Sequence, residues 1–211
     1  VPLLDDIAYV LGYRGSDIPC TPVFYSYLYI SSDNHISLFI DMDKIPNDFP
    51  AEISVYPYDQ FEDFLKQHEE VPTLIDPNKT NAFICSILKR PVFRSSPVYY
   101  QKSVKGKVEI ENTKEVQAID GIAVLKLMKY IDDKIDTGTL NEENLAEYLE
   151  LQRRSNPRCF DLSFETIAAV DSNAAMMHYA PSKEKHSPVT RNNQLLLVDS
   201  GGQYYGGTTD T

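Results

Sequence analysis

LLLVDSGGQYYGGTTDT, residues 195–211, sets two aspartates, Asp199 and Asp210, on either side of a glycine-rich turn that follows an apolar run. The run Leu195, Leu196, Leu197, Val198 reads as a buried strand, and the pairs Gly201, Gly202 and Gly206, Gly207 mark a chain reversal. On one continuous strand, two carboxylates an odd number of residues apart would point to opposite faces, because side chains alternate with period two. A hairpin removes that obstacle. With Tyr204 and Tyr205 at its centre, Asp199 and Asp210 become a directly opposed cross-strand pair, their Cβ atoms about 5 Å apart. With Tyr205 and Gly206 at its centre the register shifts, and a glycine bulge at Gly201 or Gly202 is needed to bring them together.

Two opposed carboxylates repel one another unless positive charge lies between them. A divalent ion, or a pair bridged by a shared carboxylate, supplies it, and carboxylate oxygen suits hard ions such as manganese. Aspartates in Gly-rich turns also commonly bond to nearby backbone, so the spacing alone leaves both readings open.

Working outward, the first half of the chain alternates strands with helices. The apolar runs at residues 7–11, 23–30, 36–40 and 53–56 read as strands, with SSDNH (residues 31–35) as a turn between two of them. DQFEDFLKQH (residues 59–68) reads as a helix capped by Asp59, with Phe61, Phe64 and Leu65 on one side, and residues 80–88 as a second helix. Such alternation implies an α/β-layered domain. FYSYLY (residues 24–29) carries aromatics at strand spacing suited to core packing or a dimer contact. Beyond Pro91 and Pro97, residues 107–135 read as a long helix with Ile119, Ala123, Leu127, Ile131 and Ile135 along one stripe, ended by Asp136, Thr137 and Gly138. Asn141 caps a further helix over residues 141–153. The fold class expected is α+β.

Four stretches, in order, carry a family resemblance. DSGGQYYGGTTD (residues 199–210) resembles the DSG(A/G)QY…GTTD signature of the aminopeptidase P family, manganese-dependent enzymes that remove an N-terminal residue preceding proline. YRGSDIPCTPVFYSY (residues 13–27), SPVYYQKSVKGKVEIE (residues 96–111) and LSFETIAAVDSNAAMMHYAP (residues 162–181) resemble that family's RGSD…NPVF.SY, SPV…K..KN..E.E and LSF.TI….NAA..HY.P segments, in its three-domain form. The resemblance implies a middle, creatinase-like domain over residues 1–97 and the first half of a pita-bread catalytic domain over residues 98–211, in which helices wrap a curved antiparallel sheet. It also implies a central fragment, with the amino-terminal domain and the second half of the catalytic domain outside it.

By this resemblance Asp199 ligates one metal and Asp210 bridges two, so that a hydroxide held between the ions attacks the scissile carbonyl. Three further ligands, one histidine and two glutamates, and the general base are expected beyond Thr211, leaving no catalytic residue to assign within the chain. His178, in the HY.P motif, is expected to contact the bound peptide, although its apolar neighbours Ala174 to Met177 also suit a core histidine. The sequence departs from the family wording at Asp171 and by one extra residue between His178 and Asp199. Arg14 and Asp17 of RGSD are read as structural, a turn with a buried or interdomain ion pair. His35, His68 and His186 match none of the ligand positions.

Composition narrows the classes. The chain has 211 residues, 42% hydrophobic and 24% charged, with a net charge of -11, which argues against nucleic acid as a partner. No apolar run approaches the ~20 residues of a membrane span. Cys20, Cys85 and Cys159 are too widely spaced for a zinc site, and the odd count suits reduced thiols in a cytoplasmic setting. The expected partners are peptides with an N-terminal Xaa-Pro, a second copy in a homodimer, and the missing remainder of the chain itself. The alternative is a catalytically silent pita-bread relative that serves as a protein-binding or regulatory module.

Overall fold

Short strands and helices persist only where an apolar face is buried, and here three buried apolar clusters provide for this. The computed structural model describes every residue from Val1 to Thr211 and divides into two compact units, Val1–Ile18 with Pro22–Lys105, and Gly106–Thr211 with Pro19–Thr21.

The first unit opens with helix α1 (Leu4–Leu11), not the strand that the run at residues 7–11 suggests. A five-residue apolar run carries no period of its own, and its flanks decide the matter. Asp5 and Asp6 sit in the first turn, where the helix dipole favours anions, and Gly12 ends the helix at φ 71° with its N–H bonded to the Tyr9 carbonyl. Leu4, Ile7, Ala8 and Leu11 then share one face and pack in the first core with Leu28, Leu38 and Ile40.

Strands β1 (Ser26–Ile30) and β2 (Ile36–Ile40) pair antiparallel across the 31–35 turn, and β3 (Ile53–Pro57) lies parallel on the far side of β2. A short 3-10 turn leads into α2 (Phe61–Gln67), so Asp59 lies within that turn and its side chain caps nothing. Phe61, Phe64 and Leu65 do share the buried side of α2, where Tyr27 stacks on Phe61 at a ring separation of 4.0 Å. The aromatics of residues 24–29 are thus packing residues apart from the exposed Tyr25. The short strands β4 (Thr73–Ile75) and β5 (Pro91–Phe93) form a separate parallel pair around α3 (Ala82–Ile87), which is capped by Asn81 through its bond to the Ile84 N–H, and α4 (Pro97–Ser103) follows.

The RGSD loop is structural, but with different partners from those expected. Asp17 accepts from the Tyr25 N–H at 2.7 Å and pairs with Lys44 at 2.6 Å, while Arg14 is exposed and bonds only the neighbouring Tyr13 carbonyl. Gly15 is required because a Cβ there would stand 2.8 Å from both the Phe24 Cβ and the Val23 carbonyl.

In the second unit α5 (Lys107–Lys134) buries Val116, Asp120, Ala123 and Leu127, extending the expected stripe towards its start, and Gly138 at φ 69° closes the turn after it. Helix α6 (Glu142–Arg154) begins with an Asn141–Asn144 capping box. Both helices cover short antiparallel strands: β6 (Cys159–Leu162), β7 (Ile167–Val170), β8 (Leu196–Asp199), β9 (Gly202–Tyr204) and β10 (Gly207–Thr208). β7 pairs with β8, and β9 lies between β6 and β10. β8 is half-buried rather than buried. Leu196 and Val198 pack on the core of Leu127, Leu145 and Leu149, while Leu195 is 56% exposed and Leu197 faces outward with it. The mixture of helix and strand is the α+β class that the sequence implies. Cys20, Cys85 and Cys159 form no disulfide, and no helix is long and apolar enough to cross a membrane.

Candidate metal centre

The glycine-rich segment folds into a hairpin, and its register is the second of the two the sequence allows. Tyr204 pairs with Gly207 and Gln203 with Thr208, so the reversal uses Tyr205 and Gly206, with Gly206 at φ 111°. The same register continues: the Thr209 N–H donates to the Gly202 carbonyl at 2.9 Å, and Ser200 and Thr211 exchange both backbone bonds at 2.9 and 3.0 Å. No residue is inserted to reopposes the aspartates. Asp210 lies across from Gly201, and Asp199 two residues before it, which makes the aspartates diagonal neighbours on one face with a spacing of ~7–8 Å in regular sheet geometry.

Gly201 is where the hairpin is tightest. A Cβ there would meet the Thr209 carbonyl oxygen at 2.0 Å and the Ser163 Oγ at 2.3 Å, so only glycine fits. Ser163 clamps the spot by donating its Oγ–H to the Thr209 carbonyl at 2.8 Å and its N–H to the Gly201 carbonyl at 3.1 Å.

Beneath the hairpin lies a buried polar triad. Tyr204 donates its hydroxyl to Asp120 Oδ1 at 2.6 Å, and Arg153 grips the same carboxylate with Nε at 2.7 Å and Nη2 at 2.9 Å. Asp120 and Arg153 are fully enclosed, so a lone charge at either position would be expensive. Burial opposes ionisation of Asp120, but the bonds from Arg153 and Tyr204 outweigh it and leave the carboxyl below its ordinary range. Burial and the same carboxylate push the Tyr204 phenol far upward. The hairpin is therefore bolted to both covering helices through ionised Asp120.

Above that anchor the two aspartates are free. Asp199 is half-buried and Asp210 exposed, and neither carboxylate makes a hydrogen bond or an ion pair. The ordinary use of aspartate in a turn, bonding to local backbone, is thus absent at both positions, whereas Asp76 shows it by accepting from the Asn78 N–H at 3.0 Å. Two hard oxygen donors with no competing partner suit a divalent ion. They do not complete a site, because no group of three or more His, Cys, Asp or Glu side chains stands together to hold one.

His178 occupies the left-handed region at φ 56°, is exposed, and makes no hydrogen bond. It is not a core histidine: Met177 beside it is 91% exposed, so the apolar wording of residues 174–177 does not describe a buried setting. No hydrogen bond joins His178 to Asp199 or Asp210. Of the other histidines, His68 bonds the Phe64 carbonyl and His186 the Ser182 carbonyl.

The residues that hold the His178 loop escape a reading by motif. Glu142 is buried and accepts from the Val170 N–H at 2.7 Å, Asn173 Nδ2 at 2.9 and 3.0 Å, the Tyr179 hydroxyl at 2.6 Å and the Ser187 N–H at 2.7 Å. Burial opposes its ionisation, and these donors prevail and hold its carboxyl below the usual range. Burial and Glu142 in turn push the Tyr179 phenol up to about 12. In the sequence Glu142 looks like one acidic residue of a helix first turn, but Asp120 on the apolar stripe of α5 was a readable signal, since a charge there needs a buried partner.

Residues 1–109 match the creatinase/prolidase N-terminal domain family and residues 111–211 match metallopeptidase family M24. Xaa-Pro aminopeptidase 1 of Dictyostelium discoideum is 31% identical across the whole chain, which covers 35% of that protein. Xaa-Pro aminopeptidase ApepP of Drosophila melanogaster is 33% identical across the whole chain, which covers 36% of it. Among solved structures, X-prolyl aminopeptidase from Caenorhabditis elegans, described as a cytosolic enzyme with a di-nuclear active site, superposes over 99% of the chain and 36% of its own length with a TM-score of 0.90 at 30% identity. The chain spans about a third of the length of these relatives. On these matches and this fold, it belongs to the aminopeptidase P family, with a creatinase/prolidase-type domain leading into a pita-bread metallopeptidase domain of family M24.

Proposed function

We propose that this chain forms part of a metallo-aminopeptidase that removes the N-terminal residue from peptides with proline in second position. Residues 1–97 are the non-catalytic middle domain and residues 98–211 the first part of the catalytic domain. Asp199 and Asp210 hold two divalent ions, with manganese the expected metal, and His178 contacts the bound peptide. When bound, the metals supply a Lewis acid that polarises the scissile carbonyl and favours ionisation of the attacking water. The chain's own residues do the placing. The Tyr204–Asp120–Arg153 triad holds the hairpin rigid, Gly201 lets its two strands close, and the exposed imidazole of His178 offers a hydrogen-bond partner to peptide backbone. Relatives named as Xaa-Pro aminopeptidases and a cytosolic di-nuclear neighbour support the substrate class, the metal count and a cytoplasmic setting. Assembly as a homodimer belongs to the same reading.

The observation that carries the proposal is the pair of partnerless carboxylates on one face of a locked hairpin. Manganese titration followed by electron paramagnetic resonance tests it: the chain is expected to bind the ion weakly, and Asp199→Asn and Asp210→Asn each to abolish that binding. Binding that is unchanged in both variants sinks the ligand assignment.

A further inference from the structure

A buried carboxylate normally has a cation beside it, because removal of its hydration costs several kcal/mol. Glu142 is fully buried and has none. It is neutralised by dipoles alone, as five hydrogen bonds from four residues converge on its two oxygens at 2.6 to 3.0 Å. Its place as the first residue of α6 adds the field of the helix amino end. Every donor lies on a single stretch, Val170, Asn173, Tyr179 and Ser187, and that stretch contains His178. Asn173 braces it further, its two amide hydrogens shared between Glu142 and the hydroxyl oxygens of Tyr179 and Ser187, which stand 3.2 and 2.9 Å from Nδ2.

His178 sits in the middle of this framework at φ 56°, a conformation that is unfavourable for a non-glycine residue and persists only where the surroundings impose it. Its own side chain makes no hydrogen bond, so the imidazole does not hold the backbone in place. Tyr179 does, one residue on, through its hydroxyl on Glu142.

We propose that Glu142 is a positioning residue: by gathering residues 170–187 around one carboxylate it fixes the left-handed backbone at His178 and so the direction in which the imidazole meets the peptide. The inference rests on the reading of His178 as a substrate contact. The chemistry demands an acceptor with no proton to give. A glutamine there would turn an NH2 group towards N–H and O–H donors and forfeit the bonds to one of the two oxygens.

The test is a double-mutant cycle in the full-length protein, with kcat and KM measured on an Xaa-Pro tripeptide for the wild type, E142Q, H178A and the double variant. E142Q is expected to lower kcat by ~10-fold or more with little change in KM, in keeping with the cost of misplacing a reacting group. In the H178A background the same substitution is expected to cost less than about twofold, because no imidazole is left to misdirect. An equal loss in both backgrounds overturns the proposal and makes Glu142 a residue of general stability. Tyr179→Phe, which removes one bond and keeps the packing, guards against a failure of E142Q to fold and is expected to show the same dependence on His178. Should the wild type not hydrolyse the peptide, the functional reading fails, and Glu142 is judged separately by histidine-labelled NMR of the same full-length protein. There Tyr179→Phe is expected to shift the His178 backbone and imidazole resonances while those of His35 and His68 stay in place, and an unmoved His178 overturns the inference.

Discussion

At the scale of single residues, the buried carboxylates decide most. Asp120→Asn leaves the enclosed Arg153 guanidinium, whose own Nη1 already has no partner, without its counter-charge. A loss of about 3–5 kcal/mol in urea unfolding is expected. Tyr204→Phe removes only a hydroxyl bonded to a carboxylate and should cost about 1.5–3 kcal/mol. Acid titration gives a second measure. Asp120 and Glu142 both ionise more readily in the folded chain than in the unfolded one. Their stabilisation is therefore complete above the unfolded carboxyl range, near pH 4, and is lost as pH falls through the lower folded values. The wild type should lose stability more steeply below about pH 4 than Asp120→Asn does, and identical slopes would refute this. Sequence reasoning singled out Asp199, Asp210 and His178 as candidates because they stand in motifs, and passed over Glu142 because its donors lie 28 to 45 positions away.

At the scale of elements, the hairpin is the sensitive part. Gly201→Ala forces a methyl against the Thr209 carbonyl and should destabilise the chain by about 1–3 kcal/mol, with manganese binding weakened because Asp199 and Asp210 lie on either side of the disturbed pair. Equal melting temperatures for the variant and the wild type would rule out a steric need for glycine at this position. In the first unit, β1 pairs only with β2, and β4 only with β5. The Leu28 N–H bonds the Val1 carbonyl on the edge away from β2, so Ile30, two residues on, presents its N–H along the same edge. Hydrogen exchange should be fast at Ile30 and slow at Tyr27 and Tyr29, whose groups face β2. Long periodic helices and polar turns were legible in the sequence, because their signals repeat. The short run at residues 7–11 was not, since five apolar residues fit either period and the caps on each side had to settle it.

At the scale of the whole molecule, the two expected ligands do not amount to a catalytic centre, as no third His, Cys, Asp or Glu joins them. The 211-residue chain is expected not to hydrolyse an Xaa-Pro peptide even with saturating manganese, and turnover by the purified chain would overturn that. What the sequence determined by itself was whatever is encoded locally or by ordered wording: the α+β class, the long helices, the glycine-rich reversal and the aminopeptidase P family. The tertiary structure alone decided the hairpin register, the freedom of both aspartate side chains, and the buried partners of Asp120 and Glu142. The reason is physical. A turn sequence permits two registers of nearly equal local energy, and the choice falls to distant groups, Tyr204 reaching Asp120 and Ser163 reaching Thr209, whose meeting no local pattern records.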